Sequence, residues 1–215
     1  MFAIRRAVLA SKVNMLVALG FMAAVLIDIW LLRPITAWGD ALPAACAALS
    51  FVGRRESVQS LGLTARQFTE ALRAWAVPLA ACLAAAGVGC AVSGRPVYLL
   101  VRGAAYFAWC ALQQFLLQDV VYRNVRAAAG PTWASSAVSG ILFAIVHAPN
   151  PILAPATLLW GMLSTRLFER HPSVFALALL QTLLSALLLW ATPPALSHDF
   201  RVGPGYWLWH AHHQP

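Results

Sequence analysis

Hydrophobic positions fill this chain in runs about as long as a bilayer crossing, with short polar clusters between them. Seven runs stand out, at roughly 14–33, 40–53, 74–93, 102–126, 132–148, 152–168 and 173–191. A helix needs about 20 apolar residues to cross a hydrocarbon core of about 30 Å. The pattern therefore predicts about seven transmembrane helices. The second run is short for a crossing and predicts a tilted, extended or re-entrant helix. The fourth is long enough to run past one interface. Between the second and third lies "RRESVQSLGLTARQFTEALRAW". Its polar beginning and amphipathic end predict an interfacial helix that feeds the third span. The tail "SHDFRVGPGYWLWHAHHQP" is polar and aromatic, which places Tyr206, Trp207 and Trp209 at the headgroup level.

Composition narrows the class. Of the 215 residues, 61% are hydrophobic and 10% charged, against about 25% charged in soluble domains. A soluble core cannot absorb that much apolar surface. The expected fold is all-α, a polytopic helical membrane protein with residues 1–215 as one integral domain. The net charge of +8 raises nucleic acid as a partner, but the basic residues are dispersed between apolar runs and all but Lys12 are arginine. Loop charge that sets topology accounts for them better. One side holds Arg5, Arg6, Lys12, Arg54, Arg55, Arg66, Arg73, Arg123, Arg126, Arg166 and Arg170; the other holds Arg33, Arg95, Arg102 and Arg201. The positive-inside bias then puts the N-terminus in the cytoplasm. The first run follows "AIRR" and lacks a small-residue cleavage site, which favours a retained anchor. Cys46, Cys82, Cys90 and Cys110 all sit in apolar stretches without metal-ligand spacing, so buried free thiols are expected.

Three polar centres interrupt the oil. A charged group placed mid-span costs about 2.5–3.5 kcal/mol on insertion scales, and pairing lowers that cost. In "QQFLLQDVVYRNV", Asp119 and Arg123 stand at i and i+4 and share a helical face. They are either a structural ion pair at the inner end of the fourth span or a functional carboxylate held by its arginine. In "ILFAIVHAPNP", Phe143 and His147 are again four apart, just before Pro149 and Pro151. In the last span, Gln181 and Ser185 repeat the spacing, and interhelical hydrogen bonding alone would explain them. Asp28, beside Trp30 in the first span, has no evident partner in the sequence. From the turn near Gly130–Pro131, Asp119 lies ~17 Å along one helix and His147 ~24 Å along the next. A shared site is open at that offset.

Together these stretches resemble the CPBP family, the CAAX-protease and bacteriocin-processing (Abi) intramembrane endopeptidases. "QDVVYR" has the spacing of the family's E-E-x-x-x-R, with Tyr122 as the aromatic before the arginine. "FAIVH" matches F-x-x-x-H, with the N-P that follows it. "LLWGMLSTRLFERHPSVFALALLQTLLSALL" keeps the frame of the third motif, H-x-x-x-N, with Gln181 at the histidine and Ser185 at the asparagine. The resemblance covers roughly residues 100–190 and implies a CAAX-protease-like bundle. It further implies a water activated by carboxylates for peptide-bond hydrolysis in a membrane-associated substrate. Gln118 and Asp119 take the glutamate positions, Arg123 the arginine, and His147, Gln181 and Ser185 the groups that polarise the carbonyl. The location implied is the bacterial inner membrane, with the lipid bilayer and a membrane peptide or protein as partners.

The departures from the motifs carry chemistry. Gln118 cannot act as a base, whereas Asp119 can. Gln181 can donate to an oxyanion but cannot shuttle a proton. Asp119 and His147 are too few to hold zinc, so no cofactor is expected and a metal is disfavoured. His210, His212 and His213 stand in the tail, away from the motifs. Two readings remain: an endopeptidase working through Asp119, Arg123 and His147, or a catalytically impaired relative that binds a membrane peptide or partner helix. A transporter with Asp119 on an ion path lacks a second acid or a pair of broken helices.

Overall fold

The computed structural model describes the backbone of residues 2–52, 54, 56–93 and 96–213, and the side chains of 9–52, 54, 56–89, 91–92, 103–193 and 195–209. The predicted roles of Arg5, Arg6, Arg55, Cys90, Arg95, Arg102, His210, His212 and His213 concern side chains outside that set.

All regular structure among the described residues is helical. In chain order the α-helices are α1 (Phe2–Ile27), α2 (Ala41–Phe51), α3 (Ala65–Ala74), α4 (Ala76–Ser93), α5 (Pro96–Phe115), α6 (Arg123–Ala129), α7 (Trp133–Ile145), α8 (Leu153–Arg170), α9 (Val174–Ala191), α10 (Pro194–Ser197) and α11 (Pro204–His213). Two stretches are π-helical, Asp28–Leu32 and Leu116–Tyr122. Local chemistry sets several boundaries. Thr64 and Gln67 form a reciprocal capping box at the start of α3. Thr132 caps α7 by accepting from the Ser135 amide, and Ser173 caps α9 by accepting from the Ala176 amide. Gly130, at φ +79°, ends α6 in a conformation that suits glycine.

Two stretches are long and apolar enough to cross a membrane, Leu9–Leu32 and Val174–Ala191, and the pair Ala65–Ala74 and Ala76–Gly89, bent by 80°, makes a third candidate. This is fewer than the seven runs in the sequence, although each run forms a helix. The runs at 40–53 and 132–148 fold into helices of 11 and 13 residues. The fourth is broken by the π-helical stretch, and α8 ends in the Arg166–Glu169 ion pair. Large apolar side chains such as Leu16, Val77, Leu83, Leu159 and Leu189 remain exposed on these helices, a surface that lipid would cover. The protein is an integral membrane protein.

The chain forms two compact units interleaved in sequence. The first comprises Met1–Arg55, Leu116–Thr165 and Phe200–Pro215. In it, α1 packs on α2, α6 and the second π-helical stretch, burying Ala18, Phe21, Val120, Val121 and Val125. Helices α7 and α8 cross at two glycines: a Cβ on Gly161 would lie 2.8 Å from the Gly140 Cα, and one on Gly140 would lie 2.7 Å from the Leu158 carbonyl oxygen. Such small-residue crossings let membrane helices approach backbone to backbone. The tail is helical, and Tyr206 and Trp209, three apart on one face, are buried while Trp207 is exposed. Gly203, whose Cβ would collide with Ile29, brings this segment against the end of α1.

The second unit comprises Glu56–Phe115 and Arg166–Asp199. Here α9 packs against α3, α4 and α5, with Leu177, Ala178 and Leu180 in the core. Helix α3 is the predicted amphipathic feeder, and the chain turns at the buried Trp75 into α4. Cys110 is buried, Cys46 and Cys82 are half-buried, and all three are free thiols.

Candidate functional site

The motif Gln118–Asp119 lies in the π-helical stretch Leu116–Tyr122, where six of the seven residues are buried. The wider π turn is rare and recurs at functional sites. It packs against α1, α2 and α7. Within it the Asp119 carboxylate is fully buried, and Arg123 donates Nη2 to its Oδ1 at 2.7 Å. The i, i+4 pair read from the sequence is thus formed, with the arginine side chain 29% exposed. Gln118 donates Nε2 to Ser164 Oγ on α8 at 3.2 Å, and that hydroxyl donates to the Gly161 carbonyl at 3.3 Å.

A second layer of hydrogen bonds supports the turn. Asn124 donates Nδ2 to the Val120 carbonyl at 2.6 Å, taking the place that a regular α-turn gives to the backbone N–H of residue 124. Arg54 donates Nη2 to Asn124 Oδ1 at 2.7 Å, and its Nη1 reaches the Asp119 carbonyl at 3.5 Å. The Arg54 guanidinium also lies 5.8 Å from the centre of the Phe51 ring. Arg54 and Asn124 together hold the backbone that presents Asp119.

His147 follows α7 and is buried in the same unit. Its Nδ1 is 2.6 Å from the Phe143 carbonyl oxygen, and the two rings meet edge-on at 4.7 Å. A carbonyl only accepts, so Nδ1 carries the proton and a neutral ring keeps its lone pair on Nε2. The loop after His147 is fastened on both sides. Asn150 accepts from the Ile152 and Leu153 amides at the start of α8 and donates to the Arg201 carbonyl at 3.2 Å. Gly203 donates its amide to the Ala148 carbonyl at 2.9 Å.

Gln181 and Ser185 belong to the second unit, on the face of α9 that meets α5. Gln181 accepts from Gln114 Nε2 and donates to Gln113 Oε1, both at 2.6 Å. Ser185 lies near Tyr106 of α5. The interhelical bonding that would explain Gln181 is therefore present.

Several contributors escaped the sequence reading. Gln113 and Gln114 carried a signal, since amides in an apolar run seek partners. Ser164, Asn124 and Arg54 carried little, because each gains its role only through a contact made by folding. Asp28, without a partner in the sequence, has one in the fold: Arg33 donates to it at 2.9 Å and to Asp40 at 2.6 Å. Among the described residues no three His, Cys, Asp or Glu side chains gather as metal ligands do.

Residues 97–187 match the family model for type II CAAX prenyl endopeptidase, Rce1-like. That segment is similar to the Rce1-like family over somewhat less than half of the chain. It spans α5 to α9 and contains every residue of the three motifs. No curated protein and no solved structure matches the chain. The family is one of CAAX-type intramembrane proteases, and the match points to that activity in general terms.

Proposed function

We propose that this protein is an intramembrane endopeptidase that hydrolyses a peptide bond in a membrane-associated protein or peptide. The observation that carries this reading is the buried Asp119–Arg123 pair on a π-helical turn within the Rce1-like segment. Asp119 accepts a proton from water, and the resulting hydroxide attacks the scissile carbonyl carbon. The tetrahedral intermediate collapses as the C–N bond breaks and the leaving amine takes the proton. Arg123 holds and orients the carboxylate through its 2.7 Å bond. His147, with Nδ1 committed to Phe143, offers Nε2 to the water or the substrate. Gln118 orients the water. No metal takes part in this scheme. Residues 1–215 act as one integral membrane domain with about seven membrane-embedded helices, the N-terminus in the cytoplasm, and the bacterial inner membrane as its location.

The test offers purified protein candidate membrane peptides, prenylated C-terminal tails among them. Cleavage by the parent that disappears in both Asp119→Asn and His147→Ala is the expected result. A second reading, a relative that binds a membrane peptide without cutting it, has an observation in its favour. Gln118 is bonded to Ser164, and Gln181 is engaged with Gln113 and Gln114. Neither supplies an acid or a proton shuttle. Peptide binding by the parent, with no cleavage product even after Gln118→Glu, would favour that reading.

A further inference from the structure

The second unit contains a cavity, lined mainly by polar and charged residues, that the motif chemistry does not use. Its wall is built locally. The loop at 57–63 turns at Gly62, at φ +68°, and packs against Phe168 and Pro172. The Gly62 carbonyl accepts the Val174 amide at 3.0 Å, which ties the loop to the start of α9. The capping box starts α3 directly after it. On the far side α8 ends at Arg170, and His171 meets Trp75 edge-on at 6.2 Å. These elements enclose about 390 Å³, lined by Arg66, Arg170 and His171 together with Gln59, Gln67 and Glu70.

We infer that this cavity binds an anionic phosphate group at the membrane interface. Arg66 spends its Nε on Glu70 at 2.8 Å, which leaves the Nη nitrogens free to point elsewhere. Arg170 adds a second guanidinium, and His171 adds a ring nitrogen. Guanidinium forks match phosphate oxygens in geometry as well as charge. Gln67 is already committed to Gln59 and Thr64, so the two guanidinium groups carry the positive charge offered to a ligand. Glu70 cancels one of the two arginine charges, which suits a singly charged phosphodiester better than a dianion. The volume lies at the small end of ligand sites, ~300–1,000 Å³, and has room for more than a bare phosphate.

The position of α3 fits a headgroup. It turns by 80° from the apolar α4. Phe68, Ala71, Leu72 and Trp75 form its sheltered stripe, while Arg66, Glu70 and Arg73 stand exposed at i, i+4 and i+7. Such a helix lies along the interface where lipid phosphates are found. A phospholipid headgroup and a free phosphate share the chemistry, and the experiment separates them.

The whole protein in neutral detergent is titrated with dioctanoyl-phosphatidylglycerol, with dioctanoyl-phosphatidylcholine and with inorganic phosphate, and its thermal midpoint is read. The expected result is a saturable rise with phosphatidylglycerol. Half-saturation should move at least tenfold higher in Arg66→Gln/Arg170→Gln and stay unchanged in Arg73→Gln, an exposed arginine of the same helix that does not line the cavity. Both replaced arginines are exposed, so the fold is expected to tolerate the change, and the ligand-free midpoint checks this. A saturating response to inorganic phosphate that needs the same two arginines assigns the site to free phosphate; a response to phosphatidylglycerol alone assigns it to the lipid. Equal weakening in Arg73→Gln, no weakening in the double variant, or no response to any phosphate-bearing probe would overturn the inference. None of these outcomes depends on peptide cleavage.

Discussion

Removing Arg123 should cost the protein more than any other single truncation near the motif. The Asp119 carboxylate is fully buried and lies 2.7 Å from the arginine. Two unit charges about 4 Å apart attract by roughly 4 kcal/mol at an effective dielectric of 20. Stripping one partner from a buried pair typically costs about 3–5 kcal/mol, because the remaining charge stays desolvated. Arg123 keeps 29% of its side-chain surface, so water can partly replace it, and the lower end of that range applies. Arg123→Ala is therefore expected to destabilise by about 3 kcal/mol. Asp119→Asn removes the charge that needs compensation, and in that background Arg123→Ala should cost about 1 kcal/mol. The coupling in this double-mutant cycle is about 2 kcal/mol, the difference of those two costs. Equilibrium unfolding of the four proteins in mixed micelles with graded dodecyl sulfate measures it. A coupling below about 0.5 kcal/mol, the usual scatter for independent sites, would refute the idea that the two residues act as one unit.

Other perturbations probe other contacts. Gly161→Ala forces a methyl to within 2.8 Å of the Gly140 Cα; a loss of about 1–3 kcal/mol is expected, and parent-like thermal stability would show that α7 and α8 do not cross as closely as described. Asn124→Ala removes the bonds to Val120 and Arg54. Amides at 116–124 should then exchange hydrogen faster, corresponding to about 1–3 kcal/mol of lost protection, whereas unchanged exchange would mean the turn holds its shape without that amide. Gln181→Leu leaves Gln113 and Gln114 without the amide they share. A fall of about 1–3 kcal/mol in unfolding free energy is expected, and a rise would show that an apolar contact serves α5 and α9 better there.

How much was legible varies from residue to residue. The helix at 174–191 stood almost complete in the pattern, because its largely apolar run carries no charged residue. The amphipathic helix before the third span was legible for the same kind of reason: polar and apolar positions alternate with helical period, and Thr64 and Gln67 form a local cap. The Asp119–Arg123 pair could be read from a spacing of four. The π-helical geometry could not, since widening a turn depends on what surrounds it. Nor could the packing of the tail be read: Tyr206 and Trp209 are buried in the first unit, where Gly203 admits the segment beside Ile29.

The order of apolar runs, the caps, and the i, i+4 spacings determined the class, the helices and the motif residues, since each arises from neighbours along the chain. Only the tertiary structure decided what those residues touch. Arg54 reaches Asn124 across 70 positions, Gln118 reaches Ser164 across 46, and Gln181 reaches Gln113 and Gln114 across nearly as many as the first. Hydrogen bonds between buried polar groups act over about 3 Å, so their partners are set by how helices pack. A sequence can say that a buried amide needs a partner; the fold alone says which one it has.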